Sequence, residues 1–319
     1  MRALITGATG FVGNHLMEGL LASGWSVRGT SRSGPMPVSH PALEWVTIND
    51  VGPKTDWTDA LRGVEVVFHL AALAHQLGDA GRDRQGEFER VNHLGTSRLA
   101  EFCRTTPRLS RLIFLSSVAA VRSESDTRLG LDTVPSPHSD YGRSKLAGEC
   151  AIASQLTGSQ VDWCALRPPL VYGPRNPGNM RRLLQLVASG VPLPLGGILN
   201  LRSFIYVGNL VDALLRCATH PAASRQVFFV SDGADVSTPE LVRRIAIHLS
   251  SRTVLFTLPE AWMHFGGKML GLTTSVKQLT DSLIVDASEI RTQLNWNPPF
   301  SMDEGLRLTC NWYSATRRH

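Results

Sequence analysis

Two hydrophobic periods alternate along this chain. Short apolar runs of strand length occur at Arg2-Ala3-Leu4-Ile5, Ser26-Val27-Arg28-Gly29-Thr30, Val64-Glu65-Val66-Val67-Phe68-His69-Leu70 and Arg111-Leu112-Ile113-Phe114-Leu115. Between them lie stretches with helical spacing, among them residues 16–21 and 90–99. Strand and helix in strict alternation predict an α/β fold built on a doubly wound parallel sheet. Beyond residue 167 the alternation breaks down, which predicts a smaller C-terminal α/β lobe. The expected division is residues 1–167 for the large domain, with 203–230 returning to it, and mainly 168–319 for the lobe.

The opening strand runs directly into Thr6-Gly7-Ala8-Thr9-Gly10-Phe11-Val12-Gly13 and then a helix. Glycines at 7, 10 and 13 permit a tight turn, close approach of a pyrophosphate to backbone N–H groups, and close helix–strand packing. This is a Rossmann-type dinucleotide loop in the required strand–loop–helix context, although its spacing differs from the Gly-x-Gly-x-x-Gly pattern.

A second cluster, Tyr141-Gly142-Arg143-Ser144-Lys145, begins a helical segment and sets Tyr141 and Lys145 four residues apart on one face. A free tyrosine has a pKa of about 10. An ammonium one turn away is expected to favour the phenolate and bring Tyr141 towards acid–base work.

Together, the N-terminal glycine loop and Tyr-x-x-x-Lys resemble the extended short-chain dehydrogenase/reductase superfamily. Within it, the chain resembles nucleotide-sugar epimerases, dehydratases and 4-keto reductases. Further matching segments are Val66-Val67-Phe68-His69-Leu70-Ala71-Ala72, Asn92-His93-Leu94-Gly95-Thr96, Phe114-Leu115-Ser116-Ser117 and Leu166-Arg167-Pro168-Pro169-Leu170-Val171-Tyr172-Gly173-Pro174.

The resemblance implies catalytic roles for Ser117, Tyr141 and Lys145: Ser117 orients the reacting sugar oxygen, Tyr141 moves its proton, and Lys145 holds the nicotinamide ribose. It implies cofactor contacts from Gly7, Gly10, Phe11, Val12, Gly13, Asp50, Val51, Leu70, Ala71, Ala72 and Pro168, besides Tyr141 and Lys145. At the end of the second strand, where NAD-using relatives carry an acid, stand Ser31 and Arg32. A guanidinium there suits a 2′-phosphate, so NADP is the expected cofactor, with NAD as the alternative.

Asn179 and Arg202 are implied to grip a substrate diphosphate, and residues 192–196 to lie beside a nucleotide base. The partner expected is a UDP-sugar or related nucleotide sugar. The expected reaction is hydride transfer at C4, with a 4-keto reductase favoured and a UDP-hexose 4-epimerase as the alternative. No acidic pair follows Ser117, which disfavours a dehydratase. Redox-sensing NADP-binding relatives usually lack the tyrosine–lysine pair, which this chain has. His69 is expected to fill a packing position, His75 to sit near the substrate mouth, and Asn92 to hold structure. Residues 122–138 read as a polar loop over the sugar. At Val207-Gly208-Asn209-Leu210 a carboxylate common in relatives is missing.

Composition changes little in this picture. The 319 residues are 43% hydrophobic, the net charge is +5, and almost all the positive charge is arginine. No basic run marks nucleic-acid binding, and no apolar run reaches the roughly 20 residues of a membrane span. With a strand expected from residue 2, no signal peptide is expected. The five cysteines lack paired or metal-ligand spacing, and a cytoplasmic protein is expected. A homodimer is implied by the resemblance alone. The Trp262-Met263-His264-Phe265 stretch, continuing to residue 272, predicts an apolar helix packed between the lobes.

Overall fold

A computed structural model of the protein describes residues 1–34, 39–74, 84–269 and 273–317. Twelve strands are present among these residues. In chain order they are β1 (Arg2–Thr6), β2 (Ser26–Ser31), β3 (Leu43–Thr47), β4 (Val66–His69), β5 (Arg111–Leu115), β6 (Ser125–Leu129), β7 (Asp162–Arg167), β8 (Leu170–Tyr172), β9 (Arg202–Tyr206), β10 (Gln226–Phe229), β11 (Asp235–Val236) and β12 (Leu283–Val285).

Seven of them form one sheet in the order β10-β7-β5-β4-β1-β2-β3, and every pairing in it is parallel. Strand alternation sends neighbouring side chains to opposite faces. Ala3, Ile5, Val66, Phe68 and Ile113 pack into one core against the helices Phe11–Ala22 and Val207–Thr219. Leu4, Val67, Leu112 and Phe114 pack into the other, with Leu99, Cys103 and Ile152 from helices on that side. Both faces are covered, which is why these strands read as continuous apolar runs. The chain order reverses between β1 and β4, and the carboxyl ends of those strands make the crevice where open α/β sheets bind ligands.

The second sheet has the order β11-β9-β12-β6, with β8 paired to β9. Its core gathers Tyr172, Leu184, Phe204 and Leu306. Strand β6 comes from the first half of the chain, so the segment 122–138, expected as a loop, contributes a strand to the smaller sheet. In return, Ile290, Leu294 and Trp296 pack into the core of the large sheet. No described helix is long and apolar enough to cross a membrane, and all five cysteines are free.

The helix Glu260–Met269 corrects another expectation. Met263 is buried in the second core, but Trp262 and Phe265 are 64% and 60% exposed, so its aromatic face does not pack between lobes.

Candidate functional site

The glycine loop folds at the switch point. Gly7 has a φ of +73°, and a Cβ there would stand 2.7 Å from the Ala71 nitrogen. A Cβ at Gly13 would come within 2.1 Å of the Gly7 carbonyl oxygen. Only glycine allows β1, the loop and the following helix to pack so closely. That helix starts after Gly10 without a side-chain cap, leaving its first-turn N–H groups, from Phe11, Val12 and Gly13, suited to an anion.

A cavity of about 360 Å³ opens beside the loop, lined by Gly7, Gly10, Ser31, Arg32, Asp50 and Ala71, among others. Val51, Leu70 and Ala72 share its wall. A loop shaped by missing side chains beside such a cavity fits a dinucleotide. Ser31 is buried and its hydroxyl accepts from Ser33 N–H at 3.2 Å, whereas Arg32 is exposed. Asp50 pairs with Arg90, so its carboxylate carries a partner at the cavity rim.

Behind this wall the polar groups are closely matched. His69 is fully buried, with Nδ1 2.6 Å from Thr6 Oγ1 and Nε2 2.9 Å from Thr96 Oγ1. Burial, aided by the charge of Lys145, pushes the imidazole down to about 3. It is therefore a neutral packing group. Thr6 also accepts from Ala71 N–H at 3.2 Å. Asn92 bonds both backbone groups of Leu73 and donates to Ser144 Oγ at 3.0 Å. It sits in a π-helical stretch, Glu89–Gly95, within the helical run from residue 84 to 105.

Ser117, Tyr141 and Lys145 come together across β5 and the helix Asp140–Gln155. Ser139 caps that helix, accepting from Gly142 N–H at 3.0 Å. Gly142 lets the helix start approach closely, since a Cβ there would lie 2.2 Å from the Ala119 carbonyl oxygen. Tyr141 hydrogen-bonds Ser117, and the Phe88 ring meets its ring edge-on at 6.0 Å. Lys145 is 2% exposed; its Nζ donates to the Leu115 carbonyl at 2.6 Å and lies 4.6 Å from the Phe114 ring centroid.

The electrostatics differ from expectation. Burial raises Tyr141 above the ordinary tyrosine value, and the Ser117 hydrogen bond is what opposes the rise. Burial also takes Lys145 down to about 7, with the Glu149 carboxylate acting the other way. Desolvation is the largest effect on both groups, and the Ser117 hydrogen bond, in place of the expected lysine, is what draws the tyrosine down.

On the lobe side, Arg202 Nη1 donates to the Asp281 carbonyl at 2.7 Å. Asn179 opens the helix Asn179–Ala188, behind an N-cap at Gly178, and its amide donates to Gln278 Oε1. Asn200 donates to the carbonyls of Leu279 and Asp281, both at 3.1 Å. Residues 278–281, at the C-terminal end of the helix Thr273–Thr280, thus gather both expected diphosphate residues. A cavity of about 750 Å³ adjoins them, lined by Arg122, His138, Asn200, Lys277 and Asp281, among others.

Residues 3–230 match the model of the NAD dependent epimerase/dehydratase family. The chain belongs to that family. It is 36% identical to a UDP-glucose 4-epimerase of Vibrio cholerae, over 96% of this chain and 93% of that one. It is 26% identical to a 3-beta-hydroxysteroid dehydrogenase of Mycolicibacterium neoaurum, over 98% and 91%. Among solved structures, MoeE5 in complex with UDP-glucuronic acid and NAD superposes with a TM-score of 0.77 at 28% identity, covering 100% of this chain and 99% of that one. The protein is thus an enzyme of the extended short-chain dehydrogenase/reductase type.

For a member of the epimerase/dehydratase family, several contributors here escaped sequence reasoning. Phe88 and Arg90 carry no motif signal of their own, and the end of the helix Thr273–Thr280, with Asp281, meets Asn179 and Arg202 only through tertiary folding. Pro168 follows β7 and accepts from Val118 N–H at 2.9 Å, joining it to the Ser117 turn. His75 lies outside the described residues. The missing carboxylate near Asn209 is made good from elsewhere: Asp232 accepts from Asn209 Nδ2 at 2.7 Å and from Tyr206 N–H at 2.9 Å.

Proposed function

We propose that this protein interconverts the C4 epimers of a UDP-linked hexose or N-acetylhexosamine. The observation that carries the reading is its likeness, over 96% of the chain, to a UDP-glucose 4-epimerase. A nicotinamide dinucleotide bound in the glycine cradle would supply a reversible hydride acceptor. Tyr141 Oη holds the proton exchanged with the sugar's C4 oxygen. Burial keeps that proton on the phenol at neutral pH, which suits the donating half of the cycle. Ser117 Oγ orients the same oxygen, and Lys145 holds the dinucleotide ribose. Arg202 and Asn179, whose side chains meet residues 278–281, hold the diphosphate.

A second reading has one observation in its favour. The end of β2 presents Ser31 and Arg32 to the cofactor cavity, with no carboxylate at either position. That supports NADP, and with it a 4-keto reductase. The homodimer belongs to the same proposal and is tested by the protein's mass in solution.

One experiment separates the readings. The purified protein is denatured to identify its bound dinucleotide, and the native protein is incubated with UDP-glucose, UDP-galactose and UDP-N-acetylglucosamine without added cofactor. The epimerase reading expects interconversion with no net cofactor consumption. Stoichiometric NADPH oxidation with a UDP-4-keto sugar, and no interconversion, would replace it with the reductase. Inertness in both assays would end the proposal.

A further inference from the structure

The helix Asp140–Gln155 carries Tyr141, Lys145 and Glu149 at successive four-residue steps, hence on one face. Glu149 is 5% exposed, nearly as buried as Lys145, yet the roles above leave it unused. Oε1 accepts from Arg167 Nε at 3.0 Å and from Ser116 Oγ, while Oε2 accepts from Arg167 Nη2 at 2.6 Å. Ser116 immediately precedes Ser117 at the end of β5, and Arg167 immediately precedes Pro168 at the end of β7. Three elements that each deliver a site residue therefore meet on one carboxylate. A buried ion pair is weak evidence of a purely stabilising role, because apolar side chains of similar volume often replace one at little cost. Here each partner belongs to a different part of the site.

We infer that Glu149 is a positioning residue, fixing the Tyr141–Lys145 helix against the strands bearing Ser117 and Pro168 and placing a carboxylate one helical turn from Lys145 as its counter-charge. The inference rests on the reading of Lys145 as the group that holds the dinucleotide ribose.

The surroundings of Lys145 support it. From β5 come the Phe114 ring and the Leu115 carbonyl. From β4 comes neutral His69, whose charging Lys145 opposes. On its own helix stand Tyr141, kept protonated, and Glu149. From β7 comes Arg167, itself held by Glu149. Among the described residues, Glu149 is the carboxylate that favours the charged lysine against burial. Removing its charge lets burial win at a lower pH, so the ammonium is lost earlier as pH rises.

The test follows NADH and NADPH binding by fluorescence between about pH 5.5 and 9, a readout that needs no sugar and no turnover. Glu149→Gln is expected to move the alkaline midpoint of binding down by about one pH unit. Glu149→Asp, which keeps the charge, restores most of it, and Ser116→Ala leaves it in place. The double variant Glu149→Gln/Arg167→Met, with no unpaired buried charge, covers the case in which the single variant does not fold; it loses a cation along with the carboxylate, so its midpoint is expected to move down by less than that of Glu149→Gln. An unmoved midpoint in whichever of these folds overturns the inference, as does an equal shift in Ser116→Ala. Dinucleotide binding with the expected shifts, but no epimerisation, would sink the functional proposal alone.

Discussion

Arg202 donates its Nη1 to the backbone carbonyl of Asp281 at 2.7 Å. The contact joins the first residue of β9 to the end of the helix Thr273–Thr280, which also receives the Asn179 amide through Gln278. Burial pushes the Arg202 guanidinium below its ordinary range, and the Asp281 carboxylate offsets part of that shift. An anionic ligand would complete the offset, which is what a diphosphate does for a partly desolvated arginine.

Arg202→Ala should therefore weaken UDP binding by about 1.5–3 kcal/mol, roughly ten- to a hundredfold. Dinucleotide affinity should barely change, because the glycine cradle lies on the large sheet. Paired calorimetric titrations of UDP and dinucleotide check this. Unchanged UDP affinity would show that the diphosphate is held elsewhere, and equal weakening of both ligands would point to damage spreading from the Asp281 contact.

Tyr141→Phe removes the proton carrier while leaving the ring against Phe88. Turnover should fall by a factor on the order of 10² or more, with dinucleotide affinity intact. Ser117→Ala should act through pH as well as rate. The Ser117 hydrogen bond lowers Tyr141, so its loss should move the tyrosine's titration to higher pH. A pH–rate profile of the alanine variant that overlays the parent protein's would separate the two residues.

Cofactor choice turns on the end of β2. Arg32→Ala combined with Ser31→Asp should shift preference towards NAD, by removing a partner for a 2′-phosphate and adding an acceptor for ribose hydroxyls. The ratio of NAD and NADP dissociation constants before and after the change is the measurement. A protein that already prefers NAD as purified would leave Arg32 without this role.

His69 predicts a particular acid sensitivity. Its folded-state pKa is near 3, against an ordinary 6.5, so between those values the unfolded chain binds the extra proton. The stability due to neutral His69 is fully present above about pH 6.5 and is lost as pH falls, at roughly 1.4 kcal/mol per pH unit. Urea unfolding of the parent protein and of His69→Gln at several pH values should show a shallower acid slope in the variant, by about one proton. Identical slopes would mean that another group controls the loss.

Much of the site was legible because it depends on local backbone chemistry. The spacing of Gly7, Gly10 and Gly13 after an apolar strand announces a loop that side chains cannot enter, and the four-residue step from Tyr141 to Lys145 announces a shared helix face. The charge states were not legible. Sequence spacing brings a lysine beside a tyrosine, but only the depth of burial sets how far desolvation moves each of them.

The chain by itself determined the doubly wound sheet, since continuous apolar runs of strand length alternating with helices have few other ways to bury both faces. It also determined where the dinucleotide loop and the Tyr141 helix begin. Tertiary structure decided which distant groups complete them. Asp232 stands 23 residues beyond Asn209 and supplies the carboxylate that the local motif lacks. Residues 125–129 leave the first half to join the smaller sheet. The face bearing Trp262 and Phe265 stays exposed although its periodicity promised a partner. Periodicity tells a segment which face is apolar; what lies opposite that face is set by packing among residues far apart in the chain.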